Sequence, residues 1–355
     1  MKLKAQKILV LRYRFIGDTV LTVPFLRSLR AAFPHARIDL MLEPFSGQVI
    51  EGCPYVDRVV PFELRTIHRY SKQNERGKVS AYFHYWRMIR REGYDAAFVL
   101  KRSLSSALLA WAAGVPRRIG FATEHRSFLL TDPVPYRHDQ HEVQNFLDCL
   151  RSLDIPVGSA HLELWPRPED LLKIRSLFAD AGWKDGDIKV VIHPAASLPA
   201  KQWPLERFAE VMRALQSRHP VRFVYTGGRG DAGLYAEIEK RGPFGGMNLC
   251  GTTSLRENIA VYQACDLFFG VDSGPMHMAA AAGVPVVALF GPTDERKWGP
   301  WGAGHAVITK RLACHPCKPH KCAENECMRQ ITVSEALDAL EGKIASLFPK
   351  AGEDR

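Results

Sequence analysis

Residues 267–299 read LFFGVDSGPMHMAAAAGVPVVALFGPTDERKWG, and the rest of the chain is organised around them. Leu267 to Val271 is a short apolar run, the pattern of a buried strand. Asp272-Ser273-Gly274-Pro275 stops it and offers an N-cap residue and a proline suited to a first helical turn. Met276 to Ala282 is a compact, alanine-rich helix ended by Gly283. Val284 to Phe290 returns as a second buried strand, closed by Gly291-Pro292-Thr293-Asp294. Strand, tight turn, helix and strand make a βαβ unit with a right-handed crossover.

The chemistry of this unit lies in its turn. A helix start presents unpaired N–H groups and a partial positive charge, and so attracts phosphate. Ser273 and Gly274 let a ligand approach the backbone, and His277 stands about one turn further on. Asp272 repels phosphate but can accept hydrogen bonds from sugar hydroxyls. The competing reading is a plain capped helix, with Asp272 only a cap.

At 355 residues the chain has room for two domains, each with its own core. Its composition, 46% hydrophobic and 24% charged without repeats or low-complexity tracts, is that of an ordinary soluble enzyme. Ser273 to Thr293 lacks Asp, Glu, Lys and Arg and matches a membrane span in length. Gly274, Pro275, Gly283 and Pro285 divide it into βαβ pieces, which excludes a transmembrane helix. The apolar run Ile8 to Leu11 is too short for a signal peptide, so the cytoplasm is the expected location. Scattered Cys53, Cys149, Cys250 and Cys265 suit buried free thiols. The net charge is +10, and Arg58 to Arg126 alone holds fourteen Lys/Arg against five Asp/Glu. Such a segment seeks phosphates on nucleic acid, lipid headgroups or a phosphorylated glycan, or else is a solvated surface.

Lys7 to Leu11 (KILVL) reads as a buried strand and Thr19 to Phe33 as a helix, so Asp18 stands where strand gives way to helix. Catalytic residues of open α/β sheets collect at such strand ends, although an N-cap explains the same position. Further strands are expected at Ile38–Leu42, Val56–Val60, Ala96–Leu100 and Arg117–Phe121, and helices at Val79–Arg91 and Leu104–Ala113. Arg65 to Lys78 reads as a long basic loop. His138 and His141 lie three apart on a helix running to Leu153, a spacing shared by metal pairs and by ordinary surface histidines.

Pro156 to Asp170 reads as the interdomain connection. A second α/β series follows, with strands Lys189–His193 and Val221–Tyr225 about a helix opened by Pro204. Gly228-x-Gly230-x-x-Gly233 matches the dinucleotide fingerprint in form only. Asp231 places a negative charge inside the turn, and no acidic residue ends a strand some 20 residues on. A glycine-rich ligand loop containing Gly227 and Gly228 is the better reading. Cys314, Cys317, Cys322 and Cys327 crowd within fourteen residues, with His315 and His320 among them. Zinc or an iron–sulfur cluster competes here with reduced thiols or an adventitious disulfide. Ser334 to Phe348 is a final amphipathic helix.

Three segments together resemble the bacterial lipopolysaccharide heptosyltransferases, the ADP-heptose-dependent inverting enzymes of glycosyltransferase family 9. They are Gly17-Asp18-Thr19-Val20-Leu21-Thr22-Val23-Pro24, His193-Pro194-Ala195-Ala196-Ser197 with Lys201-Gln202-Trp203-Pro204, and Val271 to Ala280 with Leu289 to Asp294. The resemblance spans residues 7 to about 330. Ala195 departs from a common glycine, and the polar insertion Arg65 to Lys78 departs from the family pattern.

The resemblance implies an α/β fold of GT-B architecture, two Rossmann-like domains with parallel sheets facing across a cleft. Residues 1–165 would bind the acceptor and 166–333 the nucleotide sugar, with 334–355 packing back on the first domain. Asp18 would be the general base and Lys201 would neutralise charge on the departing diphosphate. Gly17, Ser197, Gly227, Gly228, Asp272, Ser273, Gly274 and His277 are the donor-binding candidates. Arg65, Arg69, Lys72 and Arg102 of the basic segment are the acceptor-binding candidates. No cofactor and no catalytic metal are implied. The expected partners are ADP-heptose, lipid A-Kdo or a heptosylated lipopolysaccharide core, and the anionic inner-membrane surface, with no nucleic acid. The expected enzyme is a cytoplasmic monomer, peripheral to the inner membrane. Rival readings are the same fold with another nucleotide sugar or glycan acceptor, or a non-catalytic nucleotide-sugar or nucleic-acid binder. Asp18, Lys201 and Asp272 together favour catalysis, because a binder needs no base.

Overall fold

In the computed structural model, which describes residues 3–13, 15–63, 75–317, 322 and 324–349 apart from the side chains of 75–80, the short apolar runs become two parallel six-stranded sheets. The chain divides into two compact units, 1–161 and 162–355, a boundary at 161/162 where 165/166 was expected.

The first sheet comprises β1 (Lys7–Tyr13), β2 (Arg37–Leu42), β3 (Arg58–Pro61), β4 (Ala96–Val99), β5 (Arg117–Phe121) and β6 (Asp132–Val134), in the order β3-β2-β1-β4-β5-β6. The central strands β1 and β4 are apolar on both faces because helices cover both. Phe25 of one helix meets Phe98 of β4 edge-on, with ring centroids 5.2 Å apart. The expected Thr19–Phe33 helix is two helices, Ile16–Val20 and Val23–Ala32. Pro24, lacking an N–H, falls in the first turn of the second, where none is needed. The helix expected to carry His138 and His141 begins only at Glu142. His141 is its N-cap, with Nδ1 accepting from Val143 N at 3.2 Å, and His138 precedes it, so the two do not share a helical face.

The second sheet comprises β7 (Ile188–His193), β8 (Val221–Tyr225), β9 (Met247–Asn248), β10 (Leu267–Val271), β11 (Val286–Phe290) and β12 (Ala306–Thr309), in the order β12-β11-β10-β7-β8-β9. Counted from its own first strand, this is the order of the first sheet again. In each, strand order reverses once, between β1 and β4 and between β7 and β10. Gly270 permits the second of these pairings, since a side-chain carbon there would lie 2.5 Å from the His193 carbonyl oxygen. The final helix, Val333–Leu347, buries its Ala336, Leu340 and Ile344 in the second unit's own core with Phe208, Met212 and Trp203. Its apolar face is thus occupied within the second unit. No helix among the described residues is long and apolar enough to cross a membrane.

Candidate active site

Ligands of open parallel sheets bind outside the carboxyl ends of the strands, where strand order reverses. In the first sheet that point lies beyond β1 and β4. β1 runs on through Arg12 to Tyr13, and Phe15 then takes φ 72°, a left-handed conformation uncommon for a bulky residue. This bend starts the helix Ile16–Val20 and turns Asp18 toward Arg12, with 2.6 Å from Oδ1 to Nη2. Asp18 is not the N-cap; that position is Phe15, and no side chain caps the helix. Burial pushes the Asp18 carboxyl up, Arg12 pulls against the rise, and Glu142 adds to it. Arg12 also lies over the Phe146 ring, 5.1 Å from its centroid, which fixes its guanidinium.

Glu142 is 1% exposed and accepts a 2.6 Å hydrogen bond from Tyr136 Oη. The Arg102 guanidinium covers the Tyr136 ring at 4.3 Å. Arg102, Tyr136, Glu142, Arg12 and Asp18 therefore form one charged neighbourhood. Gly17 is buried in the short helix, where its carbonyl accepts from Leu21 N. Arg65, Arg69 and Lys72 lie outside the described residues.

In the second sheet the corresponding point lies beyond β7 and β10. The loop after β7 closes in a short turn, Pro199–Lys201, and Lys201 Nζ reaches Asp272 Oδ2 at 2.6 Å. Thr293, beyond β11, donates its hydroxyl to the same carboxylate oxygen. Asp272 is 6% exposed and immediately precedes the N-cap, Ser273. The capping reading of Asp272 is therefore excluded: its carboxylate is held by a lysine and a threonine. Ser273 makes no capping bond either, and its Oγ is buried without a partner among the described residues. The start of Gly274–Ala281 is thus an uncapped helix N-terminus beside an ammonium group, with buried His277 in its first turns. Ser197 is exposed in the loop that carries Lys201.

Gly227 and Gly228 follow β8, on the far side of β7 from Asp272. Gly228 N donates to Asp231 Oδ2 at 2.8 Å, and a side-chain carbon at Gly227 would lie 2.7 Å from that oxygen. The glycines here admit the Asp231 carboxylate, which occupies the turn a dinucleotide would use. His193 is buried; burial lowers its pKa, and its Nδ1 lies 3.0 Å from the Thr226 carbonyl, bonding the ends of β7 and β8.

The cysteines do gather. Burial first, and then the other cysteines of the set, push the Cys317 and Cys327 thiols up. Cys314 is exposed, Cys317 and Cys322 partly buried and Cys327 buried. Nearby, ligand-capable atoms of Asp294, Glu295 and His315 lie within 4.8 Å of one another. Both carboxylates are already paired, Asp294 with Arg296 at 2.9 Å and Glu295 with Arg311, which makes this an ion-pair network. His315 Nδ1 lies 3.1 Å from Gly291 O, and Cys317 N donates to Pro292 O at 3.0 Å. The cysteine segment thereby backs the Gly291–Asp294 loop, which bears Thr293.

Sequence reading missed Arg12, Glu142 and Thr293. The signal for Thr293 was its place after β11, the strand beside β10, because neighbouring parallel strands deliver their following residues to one edge.

Residues 82–328 match glycosyltransferase family 9 (heptosyltransferase). Lipopolysaccharide heptosyltransferase 2 of Salmonella typhimurium is 26% identical over 351 residues, covering 96% of this chain and 99% of that protein. The solved structure of ADP-heptose lipopolysaccharide heptosyltransferase II from Escherichia coli superposes with a TM-score of 0.74 at 25% identity, covering 96% of this chain and 99% of that one. A family 9 glycosyltransferase from Veillonella parvula reaches a TM-score of 0.82 at 23% identity, over 98% and 99% of the two chains, which bears on fold alone. The two parallel sheets are thus those of a GT-B-like fold.

Proposed function

Because the chain belongs to glycosyltransferase family 9, the heptosyltransferases, we propose that it transfers heptose from ADP-heptose to Kdo or heptose in the inner core of lipopolysaccharide, with inversion. The single observation that carries this is the Lys201–Asp272–Thr293 cluster beside the uncapped helix start at Ser273. It offers what a nucleoside-diphosphate sugar requires: a cation and backbone donors for the diphosphate, and a fixed carboxylate for sugar hydroxyls.

In this mechanism the acceptor hydroxyl attacks the anomeric carbon as the bond to the ADP phosphate oxygen breaks. Asp18 takes the hydroxyl proton in the same step, because that proton becomes acidic only as the new bond forms. Lys201 has three N–H donors, so it can keep Asp272 while engaging the diphosphate. Charge building on the leaving oxygen is met by this ammonium and by the helix start, so the step calls for no metal. Arg102, with Arg65, Arg69 and Lys72, attracts acceptor phosphates and carboxylates. The enzyme acts as a monomer at the cytoplasmic face of the inner membrane, where a lipid-borne acceptor is found.

Incubation with ADP-heptose and a panel of truncated lipid A cores, read by mass spectrometry, tests the proposal. One core should gain the mass of a single heptosyl residue. Failure with every core, or transfer only from a different nucleotide sugar, would overturn it.

A further inference from the structure

Large apolar side chains are left exposed unevenly. Eleven are exposed among the described residues, and eight of them belong to the first unit. Three lie on one helix, Leu104–Ala112: Leu104, Leu108 and Trp111, exposed by 42%, 46% and 51%. Their spacing of i, i+4 and i+7 places them in a single stripe, while Ser106, Ala107, Leu109 and Ala110 are buried on the other sides. Phe128, 76% exposed, stands on the turn Ser127–Leu129, which packs against this helix.

A cationic rim accompanies the stripe. Trp86 of the helix Glu75–Glu92 donates its indole N–H to Ala112 O at 2.8 Å, which ties that helix to the end of the stripe. Its exposed positions include Phe83, Arg87 and Arg90, again at i, i+4 and i+7, with Arg91 beside them. None of these three arginines pairs with a carboxylate among the described residues. Glu124 stands at the start of the stripe, accepting from Leu104 N at 3.0 Å.

We propose that Leu104, Leu108, Trp111 and Phe128 insert at the headgroup–acyl boundary of an anionic lipid bilayer, with Arg87, Arg90 and Arg91 holding lipid phosphates. An apolar stripe supplies one attraction and a basic rim the second, and stable peripheral attachment takes two. Tryptophan at the stripe's end suits the interface, where its ring is apolar and its N–H is wet. A second copy of the chain fits less well, because a two-fold interface would set the arginine rim against itself. The choice of a bilayer rests on the proposed lipid-linked acceptor; the surface does not take part in the transfer chemistry.

Sedimentation with vesicles separates the cases. The full chain should bind phosphatidylglycerol-containing vesicles and not pure phosphatidylcholine vesicles. Leu108→Ser/Trp111→Ser/Phe128→Ser should weaken binding by about tenfold or more. Arg87→Gln/Arg90→Gln/Arg91→Gln should do likewise and flatten the salt dependence. Both variants should match the wild type in circular dichroism and in turnover of a soluble, deacylated acceptor. Absence of vesicle binding by the wild type, or equal binding by the serine variant, overturns the inference. So does a lipid-free dimer that the serine variant dissociates, since the face would then join two copies. An enzyme inactive on every acceptor would sink the proposed function while leaving the vesicle result to be judged by itself.

Discussion

The two sheets share one strand order, yet their reversal points carry opposite chemistry. Beyond β1 stands a carboxyl, Asp18, pushed up by burial and held by the single guanidinium of Arg12. Beyond β7 and β10 stand an ammonium, a carboxylate that two side chains immobilise, and a bare helix start. The first arrangement suits taking up a proton, and the second suits holding an anion. Topology decides where each site lies, and a handful of side chains decides what it does.

The sharpest way to break this contrast is Asp18→Asn. In the proposed reaction it removes the proton acceptor and keeps the shape, so turnover should fall by about a hundredfold or more. Affinity for ADP-heptose, measured by calorimetry, should stay unchanged. A lost donor affinity would mean that the first site also holds the nucleotide sugar. Unchanged turnover with a lower melting temperature would reduce Asp18 to a structural role.

The matching change in the second unit is Lys201→Ala. Removing a cation from the leaving group should lower turnover by about a hundredfold at saturating donor. Lys201→Arg should recover part of it, since charge matters here more than shape. Equal turnover of Lys201→Ala and wild type would remove Lys201 from the reaction and leave the second site with no cation for the diphosphate.

How much of this contrast was legible beforehand follows from where the information lies. The unit Leu267–Phe290 was readable because parallel strands are continuous apolar runs, and Gly274, Pro275 and Gly283 punctuate them. Strands β6 and β9 were not, being three and two residues long, one of them containing Pro133. The helix Leu255–Gln263 shows in the sequence only through its capping box, Ser254 with Glu257, and Pro168–Asp180 begins inside the proline-rich stretch that reads as a linker. Asp18 and Asp272 could be picked by type at strand ends, and Lys201 only through the family resemblance. Their partners could not, because Lys201 and Asp272 are 71 residues apart and only the sheet order brings them together. The final helix was legible as amphipathic, but an apolar face shows that a helix packs and not on what.

Arg12 gives a smaller and more specific effect. In the proposed mechanism Asp18 must be ionised to act as base, and burial raises its titration from the ordinary carboxylate range. The acid limb of kcat/KM against pH should accordingly lie above that range. Arg12 lowers the Asp18 pKa, so Arg12→Met should raise it and move the acid limb to higher pH. Arg12→Lys should restore much of the original profile. Donor affinity should not follow pH in this way, because the second site does not use the group. If the limb stays in place in Arg12→Met while the melting temperature falls, Arg12 supports the fold and does not position the base.

Thr293 should give the smallest effect and the finest test of the second site. Its hydroxyl and the Lys201 ammonium meet on one oxygen of Asp272, Oδ2. In the proposed mechanism, when Lys201 turns toward the diphosphate, the threonine bond keeps the carboxylate facing the sugar. Thr293→Val preserves volume and deletes that bond, which is worth about 1 kcal/mol, or several-fold in an equilibrium constant. The KM for ADP-heptose should therefore rise several-fold while kcat changes little, because in the proposed mechanism the carboxylate holds the sugar and not the departing phosphate. Thr293→Ser keeps the hydroxyl and should behave as wild type. In an Asp272→Asn background the valine change should add little, since the charged acceptor of the threonine bond is already gone. Should Thr293→Val lower kcat as severely as Lys201→Ala, the carboxylate would be serving the leaving group through the lysine, and Asp272 would belong with the phosphate side of the site.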